Sequence, residues 1–187
     1  LPIPTTWPED GGPFITLPLV VTADPETGVH NMGMYRGQIF GPKEVGLHWQ
    51  SHKHGADHAA GVGDGRMPVA ICIGGPPELI FSAISPLPDN LSEYEFAGLL
   101  GGKRLRLTKC LTNDLLVPAE ADFVIEGYTI PSETRTEGPF GDHFGYYSLK
   151  DEFPVLHVTA ITHRRNAVLP ATIVGLPPLE DGYLGEG

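Results

Sequence analysis

Met67-Pro-Val-Ala-Ile-Cys-Ile73 is a continuous apolar run of strand length, which reads as a buried strand. Working back from it, Phe14 to Thr22 is apolar and β-branched, bounded by Gly11-Gly12-Pro13 and Asp24-Pro25, and reads as another strand. Asp24 to Gly28 is a turn, and Val29 to Arg36 and Val45 to Gln50 read as strands with Gly41-Pro42 between them. His52 to Arg66 is rich in glycine and histidine and reads as a loop or short helix. Working forward, Pro76-Pro77 opens a helix running from Glu78 to about Ser85, since proline is tolerated in a first turn. Ser92-x-x-Glu95 is a capping box, opening a second helix that ends near Gly101-Gly102. Arg104 to Cys110, Phe123 to Ile130, Val155 to His163 and Ala167 to Val174 complete the strands. Roughly seven to nine strands with two or three short helices, and no fixed repeat, predict a mainly β (α+β) barrel with peripheral helices.

Composition agrees with this. The 187 residues suit one domain with a hydrophobic core, and 24 glycines and 19 prolines punctuate short segments along the whole chain. Twelve Lys and Arg against 23 Asp and Glu give a formal net charge of −11, which argues against a nucleic-acid partner. No segment approaches the roughly 20 apolar residues of a membrane span, and no signal-peptide pattern opens the chain. Cys72 and Cys110 sit in apolar runs without CxxC partners and read as reduced core residues of a cytoplasmic protein. The chain begins mid-pattern at Leu1 and stops at Gly187 after Pro177-Pro178 without a terminal element, as a piece of a longer chain would.

Four segments carry candidate chemistry. Asn31, in Val29 to Arg36, is unfavourable at mid-strand, which suggests a job for its carboxamide; an edge or turn asparagine is the plain alternative. His48, His52, His54 and His58 bring four of eight histidines into eleven residues. Imidazole ligates metals and holds phosphates, though a solvated polar loop would look the same. Glu93 follows the cap Ser92, where the helix dipole alone would favour an acid, but a carboxylate fixed there also suits a hard metal. Thr136-Glu-Gly-Pro-Phe-Gly-Asp-His-Phe-Gly-Tyr-Tyr147 sets two carboxylates five residues apart in a tightly shaped loop with a histidine, a pattern typical of active sites.

Five stretches in order, Pro8-Glu-Asp-Gly-Gly-Pro-Phe-Ile-Thr16, His30-Asn-Met-Gly-Met-Tyr-Arg36, Pro86-Leu-Pro-Asp89, Thr112-Asn-Asp-Leu-Leu-Val-Pro-Ala119 and Glu137-Gly-Pro-Phe-Gly-Asp-His-Phe-Gly-Tyr-Tyr147, resemble the UbiD family of decarboxylases. The resemblance implies a split β-barrel of the flavin-reductase type. It implies reversible, non-oxidative decarboxylation of a small aromatic or α,β-unsaturated carboxylic acid, with prenylated FMN as electron sink, Mn2+ or another divalent metal, and K+. Asn31, His54 and Glu93 match the divalent-metal positions, and Ser82, Ala83, Ser85 and Glu93 the potassium site. Thr16, Met34, Tyr35, Arg36, His48, Trp49, Gln50, Lys53 and His54 match cofactor contacts. Arg36, Glu137 and Asp142 match the catalytic arginine–glutamate–acid network.

Asp142 followed by His143 resembles the aryl-acid branch, in which the proton donor is often a later glutamate, here beyond residue 187. By the same resemblance, residues 1–187 are one cofactor-binding domain, the family's N-terminal and C-terminal domains lie outside them, and the full-length protein is a homo-oligomer. Two rival readings are a flavin-reductase-like FMN oxidoreductase and a non-catalytic metal- or flavin-binding fragment.

Overall fold

A computed structural model of the chain describes residues 1–49, 65–88 and 91–185. In chain order its elements are β1 (Phe14–Ile15), β2 (Leu19–Ala23), β3 (His30–Met34), β4 (Gly37–Gly41), β5 (Glu44–Leu47), β6 (Met67–Ile73), α1 (Pro77–Ile84), α2 (Glu93–Leu100), β7 (Leu107–Lys109), β8 (Leu116–Pro118), β9 (Phe123–Glu137), β10 (Asp151–His163) and α3 (Glu180–Gly185). Eight strands form one antiparallel sheet in the order β1-β4-β5-β10-β9-β6-β2-β3, and β7 and β8 form a separate hairpin. Among the described residues no helix is long and apolar enough to cross a membrane.

The period-two alternation of β6 sorts its residues onto two cores. Met67, Val69, Ile71 and Ile73 point one way, joining Val20 of β2, Val45 and Leu47 of β5, Phe123 and Ile125 of β9 and Leu156 of β10 in one buried cluster. Strands from across the sheet share that cluster, so the sheet curls around it as a half-barrel. Ala70 and Cys72 point outward with Leu19, Val21 and Met32, and are roofed by Leu79 of α1, Ala97 of α2 and Val117 of β8. Burial on both faces explains why β6 carries no polar residue. Both cysteines are free and buried in this outer cluster, and burial pushes the Cys110 thiol up to about 12.

Glu126 on β9 is 1% exposed and anchors the segment before β8. Its carboxylate accepts from the backbone N–H of Leu111 (2.9 Å), from that of Thr112 (2.7 Å) and from the Thr112 hydroxyl (2.8 Å). A buried acid with three donors is satisfied, and it fixes the Thr112–Ala119 stretch on the sheet.

Several expectations are corrected. The strand expected over Phe14 to Thr22 is two strands, because the chain leaves β4 at Ile15 and joins β3 and β6 from Leu19, with Pro18 unable to donate to a ladder between them. Arg36 lies in the link after β3, not on the strand. β4 and β8 were not expected, and β9 extends to Glu137, well past Ile130. Ala167 to Val174 forms no strand. Val168 N–H donates to Asp122, Thr172 N–H to the Thr16 hydroxyl, and the Val174 carbonyl accepts from Trp7 Nε1. Side chains thus take the bonds a ladder would have used. The short helix α3 stands where no terminal element was expected. Gln50 and almost all of the His52 to Arg66 segment lie outside the described residues.

Candidate functional site

Strand pairing assembles the charged centre. Gly37 on β4 pairs with Leu47 on β5, so the flanking Arg36 and His48 meet, and His48 N–H donates to the Arg36 carbonyl at 3.1 Å. β5 also pairs with β10, and β10 with β9, whose last residue is Glu137. Arg36 Nε donates to Glu137 Oε1 at 2.7 Å and Nη2 to Oε2 at 3.1 Å, a bidentate clasp. His48 Nδ1 lies 3.2 Å from Glu137 Oε2, and its ring packs 4.2 Å from that of Phe153. The Arg36 guanidinium stacks over Phe140 at 4.6 Å.

Glu137 has no exposed side-chain surface. Burial pushes its carboxyl up, but the hydrogen bonds from His48 and Arg36, with the charge of both, outweigh that and hold it below the usual carboxylate range. An ionised carboxylate only accepts, so His48 Nδ1 carries the proton between them.

The loop after Glu137 is held in a fixed shape. Ser148 Oγ accepts from Arg36 Nη2 (3.2 Å) and Phe140 N–H (3.1 Å), while Ser148 N–H donates back to the Phe140 carbonyl (2.8 Å). Asp142 N–H donates to the Tyr146 carbonyl and Gly145 N–H to that of Asp142, closing a turn. This brings Asp142 Oδ2 to 3.9 Å from Arg36 Nη1.

The Pro8–Thr16 stretch braces the same loop from outside. Asp10 Oδ1 accepts from Gly141 N–H at 2.8 Å, and Oδ2 accepts from Thr6 and Trp7. The Gln38 carboxamide accepts from Gly138 N–H (2.7 Å) and donates to the Gly11 carbonyl (2.8 Å). A Cβ on Gly11 would stand 2.3 Å from the Gly138 carbonyl oxygen, and one on Gly141 2.0 Å from the Trp7 ring. Two glycines therefore let the motifs interlock. Asp10, Gln38 and Ser148 escaped the sequence reading, because their partners are distant in the chain; only the odd glutamine in an otherwise apolar Gly-rich stretch hinted at Gln38.

The metal-site candidates lie elsewhere on the sheet. Asn31 is buried on β3, in register with Thr22 of β2. Glu93 opens α2, where Oε2 accepts from the free edge N–H of Met32 at 3.1 Å. The fold thus sets a carboxylate one residue along from a carboxamide, and both supply the oxygen donors that hard cations prefer. Among the described residues no three His, Cys, Asp or Glu side chains gather as a metal site. His54 lies outside the described residues, as do Gln50 and Lys53.

Ser82 is buried and donates to the Leu79 carbonyl (2.9 Å), and Ser85 donates to that of Phe81 (2.8 Å). These residues and Ala83 end α1, whose C-terminal carbonyls favour a cation. Thr16 is half-buried and accepts from Thr172. Met34 is half-buried at the end of β3, and Tyr35 is buried with its ring over Gly33. Trp49 is buried, and its indole N–H has no partner among the described residues, so it remains available to an acceptor on a bound group.

Comparison with known proteins gives this geometry a context. A relative from Archaeoglobus fulgidus is 52% identical over 188 residues, taking in 99% of this chain and 39% of its own. Vanillic acid decarboxylase of Sedimentibacter hydroxybenzoicus in its closed form superposes with a TM-score of 0.94 at 35% identity, over 98% of this chain and 40% of that one. An evolved dimeric form of the UbiD-class enzyme HmfF of Pelotomaculum thermopropionicum, in complex with prenylated FMN, superposes with a TM-score of 0.89 at 35% identity, over 93% and 41%. A split-barrel flavin reductase from Shewanella frigidimarina, 13% identical with a TM-score of 0.58 over 84% of this chain and 73% of its own, shares the fold, which is a split β-barrel. The chain spans about two fifths of the length of the first three. Residues 1–177 match the UbiD 3-octaprenyl-4-hydroxybenzoate carboxy-lyase Rift-related domain, and the chain belongs to the UbiD family.

Proposed function

We propose that this chain is the cofactor-binding domain of a UbiD-class carboxy-lyase, which decarboxylates an aromatic or α,β-unsaturated acid reversibly and without net oxidation. The observation that carries the reading is the buried Arg36–Glu137 clasp with Asp142 on the adjoining loop, inside a UbiD domain. Prenylated FMN, when bound, supplies a sink for the electron pair released as the carbon–carbon bond to CO2 breaks. Thr16, Met34, Tyr35, Arg36, His48, Trp49, Gln50, Lys53 and His54 would hold it. Asn31, His54 and Glu93 would hold Mn2+ or another divalent metal, and Glu93 with Ser82, Ala83 and Ser85 a K+ ion.

Arg36 binds the leaving carboxylate. Its Nε and Nη2 are engaged by Glu137 and Ser148, so Nη1 remains to meet a substrate oxygen. Glu137 fixes the plane of the guanidinium and balances its charge, which spares the site an uncompensated buried cation. Asp142, beside Nη1, delivers a proton to the carbon that CO2 leaves, unless a glutamate outside this chain does so.

The test uses the full-length protein, as a homo-oligomer, loaded with prenylated FMN and Mn2+. Vanillate and 3,4-dihydroxybenzoate serve as probes, with CO2 release and deuterium uptake at the product carbon as readouts. The parent should do both, and Arg36→Ala should do neither. Near-parental turnover in Arg36→Ala overturns the assignment.

A further inference from the structure

We propose that His143 is the positioning and proton-delivering partner of Asp142, so that the catalytic acid is recharged from solvent through an imidazole. The inference rests on the function proposed above.

The observation is a line of charged groups with graded exposure. Glu137 is 0% exposed, Arg36 13%, Asp142 31% and His143 53%. Consecutive members are neighbours: Arg36 holds Glu137 at 2.7 Å, its Nη1 faces Asp142 Oδ2 across 3.9 Å as an ion pair without a direct hydrogen bond, and Asp142 Oδ1 meets His143 Nδ1 at 2.6 Å. The line runs from the buried end of β9 to the surface.

The two oxygens of Asp142 have different partners. Oδ1 takes both contacts from His143, the backbone N–H at 2.7 Å and the ring at 2.6 Å. Oδ2 is left to face Arg36. His143 thereby fixes which oxygen looks into the site. The ring packs at a tilt 4.0 Å from that of Phe144, and Gly145 takes φ +81° in the turn that follows. Leu176 packs where a Gly145 side chain would be, so the turn has little freedom to re-aim the pair.

The proton balance closes. Decarboxylation replaces a carboxylate with hydrogen and consumes one proton per turnover. Asp142 gives its proton to the product carbon and becomes a carboxylate. The imidazole, protonated at Nε2 from water, passes its Nδ1 proton to Oδ1. The carboxyl is then neutral again and the ring neutral with its proton on Nε2. When Asp142 has delivered that proton to the next carbon it is ionised and only accepts; one proton then leaves Nε2 for water and one enters at Nδ1, which returns the ring to the Nδ1–H tautomer in which it rests between turnovers.

The full-length enzyme is compared with His143→Ala and His143→Asn; asparagine replaces the Nδ1 donor but cannot relay a proton. Deuterium exchange at the product carbon should fall at least tenfold in both, with KM within about twofold of the parent. Added imidazole should restore His143→Ala only. Nitrogen-15 NMR of the resting protein should show the Nδ1–H tautomer at His143 and its loss in Asp142→Asn. Parental exchange in His143→Ala, full activity in His143→Asn, or an Nε2–H tautomer in the parent overturns the proposal while leaving the decarboxylase reading intact. A parent that neither releases CO2 nor exchanges the product proton overturns both.

Discussion

Arg36 and Glu137 lie 101 residues apart and meet through two hydrogen bonds, of 2.7 and 3.1 Å, at a carboxylate wholly removed from solvent. Removing one partner of such a pair strands a charge, which typically costs about 3–5 kcal/mol. Glu137→Gln keeps the shape but presents an N–H to the arginine or to His48. We expect a loss of about 3 kcal/mol in denaturant unfolding of this chain and at least a hundredfold loss of CO2 release in the full-length enzyme. A variant as stable as the parent would mean that the clasp is not buried in solution.

Asp10 predicts a separate effect on the same loop. It accepts from Gly141, Thr6 and Trp7, and each buried donor left without a partner costs about 1–3 kcal/mol. Asp10→Ala should therefore speed amide exchange at Gly141 by tenfold or more, while amides of β6 stay protected. Gly141→Ala should do the same by forcing Trp7 away. Uniform acceleration across the sheet would show that Asp10 supports the whole fold and not this loop.

What the sequence disclosed depended on whether a signal was local. β6 was legible because burial on both faces leaves an unbroken apolar run, and α2 because its capping box lies within four residues. The Glu137–Tyr147 loop stood out by residue type alone. β4 did not, since Gly37-Gln-Ile-Phe-Gly41 has glycine at both ends and a polar residue inside. Gln38 is buried against Gly138, 100 residues away, and Asp10, half-buried, bonds Gly141, 131 residues away. Such pairings exist only once the sheet has curled, so composition and spacing do not reveal them. The roles expected of Arg36, Asn31 and Glu93 came from resemblance; spacing alone left Asn31 and Glu93 each with a plain alternative and singled out no role for Arg36.

Stability should fall in two stages as pH drops. His30 Nδ1 contacts the Gly28 carbonyl at 3.1 Å, and its Nε2 accepts from Leu116 N–H at 3.0 Å, so the folded ring is neutral. Burial holds its pKa below the ordinary 6.5, against the smaller opposing effect of the Gly28 carbonyl. The unfolded chain then binds more protons, and stability is full above pH 6.5 and declines below it until the folded ring also protonates. Glu137 has a folded value below 4.5, so its contribution is present above that pH and is lost as pH falls through the folded value. Denaturant midpoints measured from pH 8 to 2 should show both declines, and His30→Gln should remove the upper one alone. An upper decline that persists in His30→Gln would assign it to another group.

Glu93 allows the metal assignment to be tested apart from the fold. Its Oε2 accepts the Met32 N–H on the open edge of β3, and its place in the first turn of α2 suits a negative charge. Glu93→Gln retains an oxygen for Met32 and the helix start, so the chain should lose no more than about 1 kcal/mol of stability. The charge, however, is what a divalent cation requires of a site whose neighbour, Asn31, is neutral. In the full-length protein, Mn2+ affinity measured by electron paramagnetic resonance should fall at least about tenfold, a loss seen even when a group only orients a ligand. Asn31→Ala should weaken Mn2+ binding as well, and the two substitutions together should add little if either alone already empties the site. Parental Mn2+ binding in Glu93→Gln, with the fold intact, would leave Glu93 as a strand-edge clamp and would move the metal elsewhere.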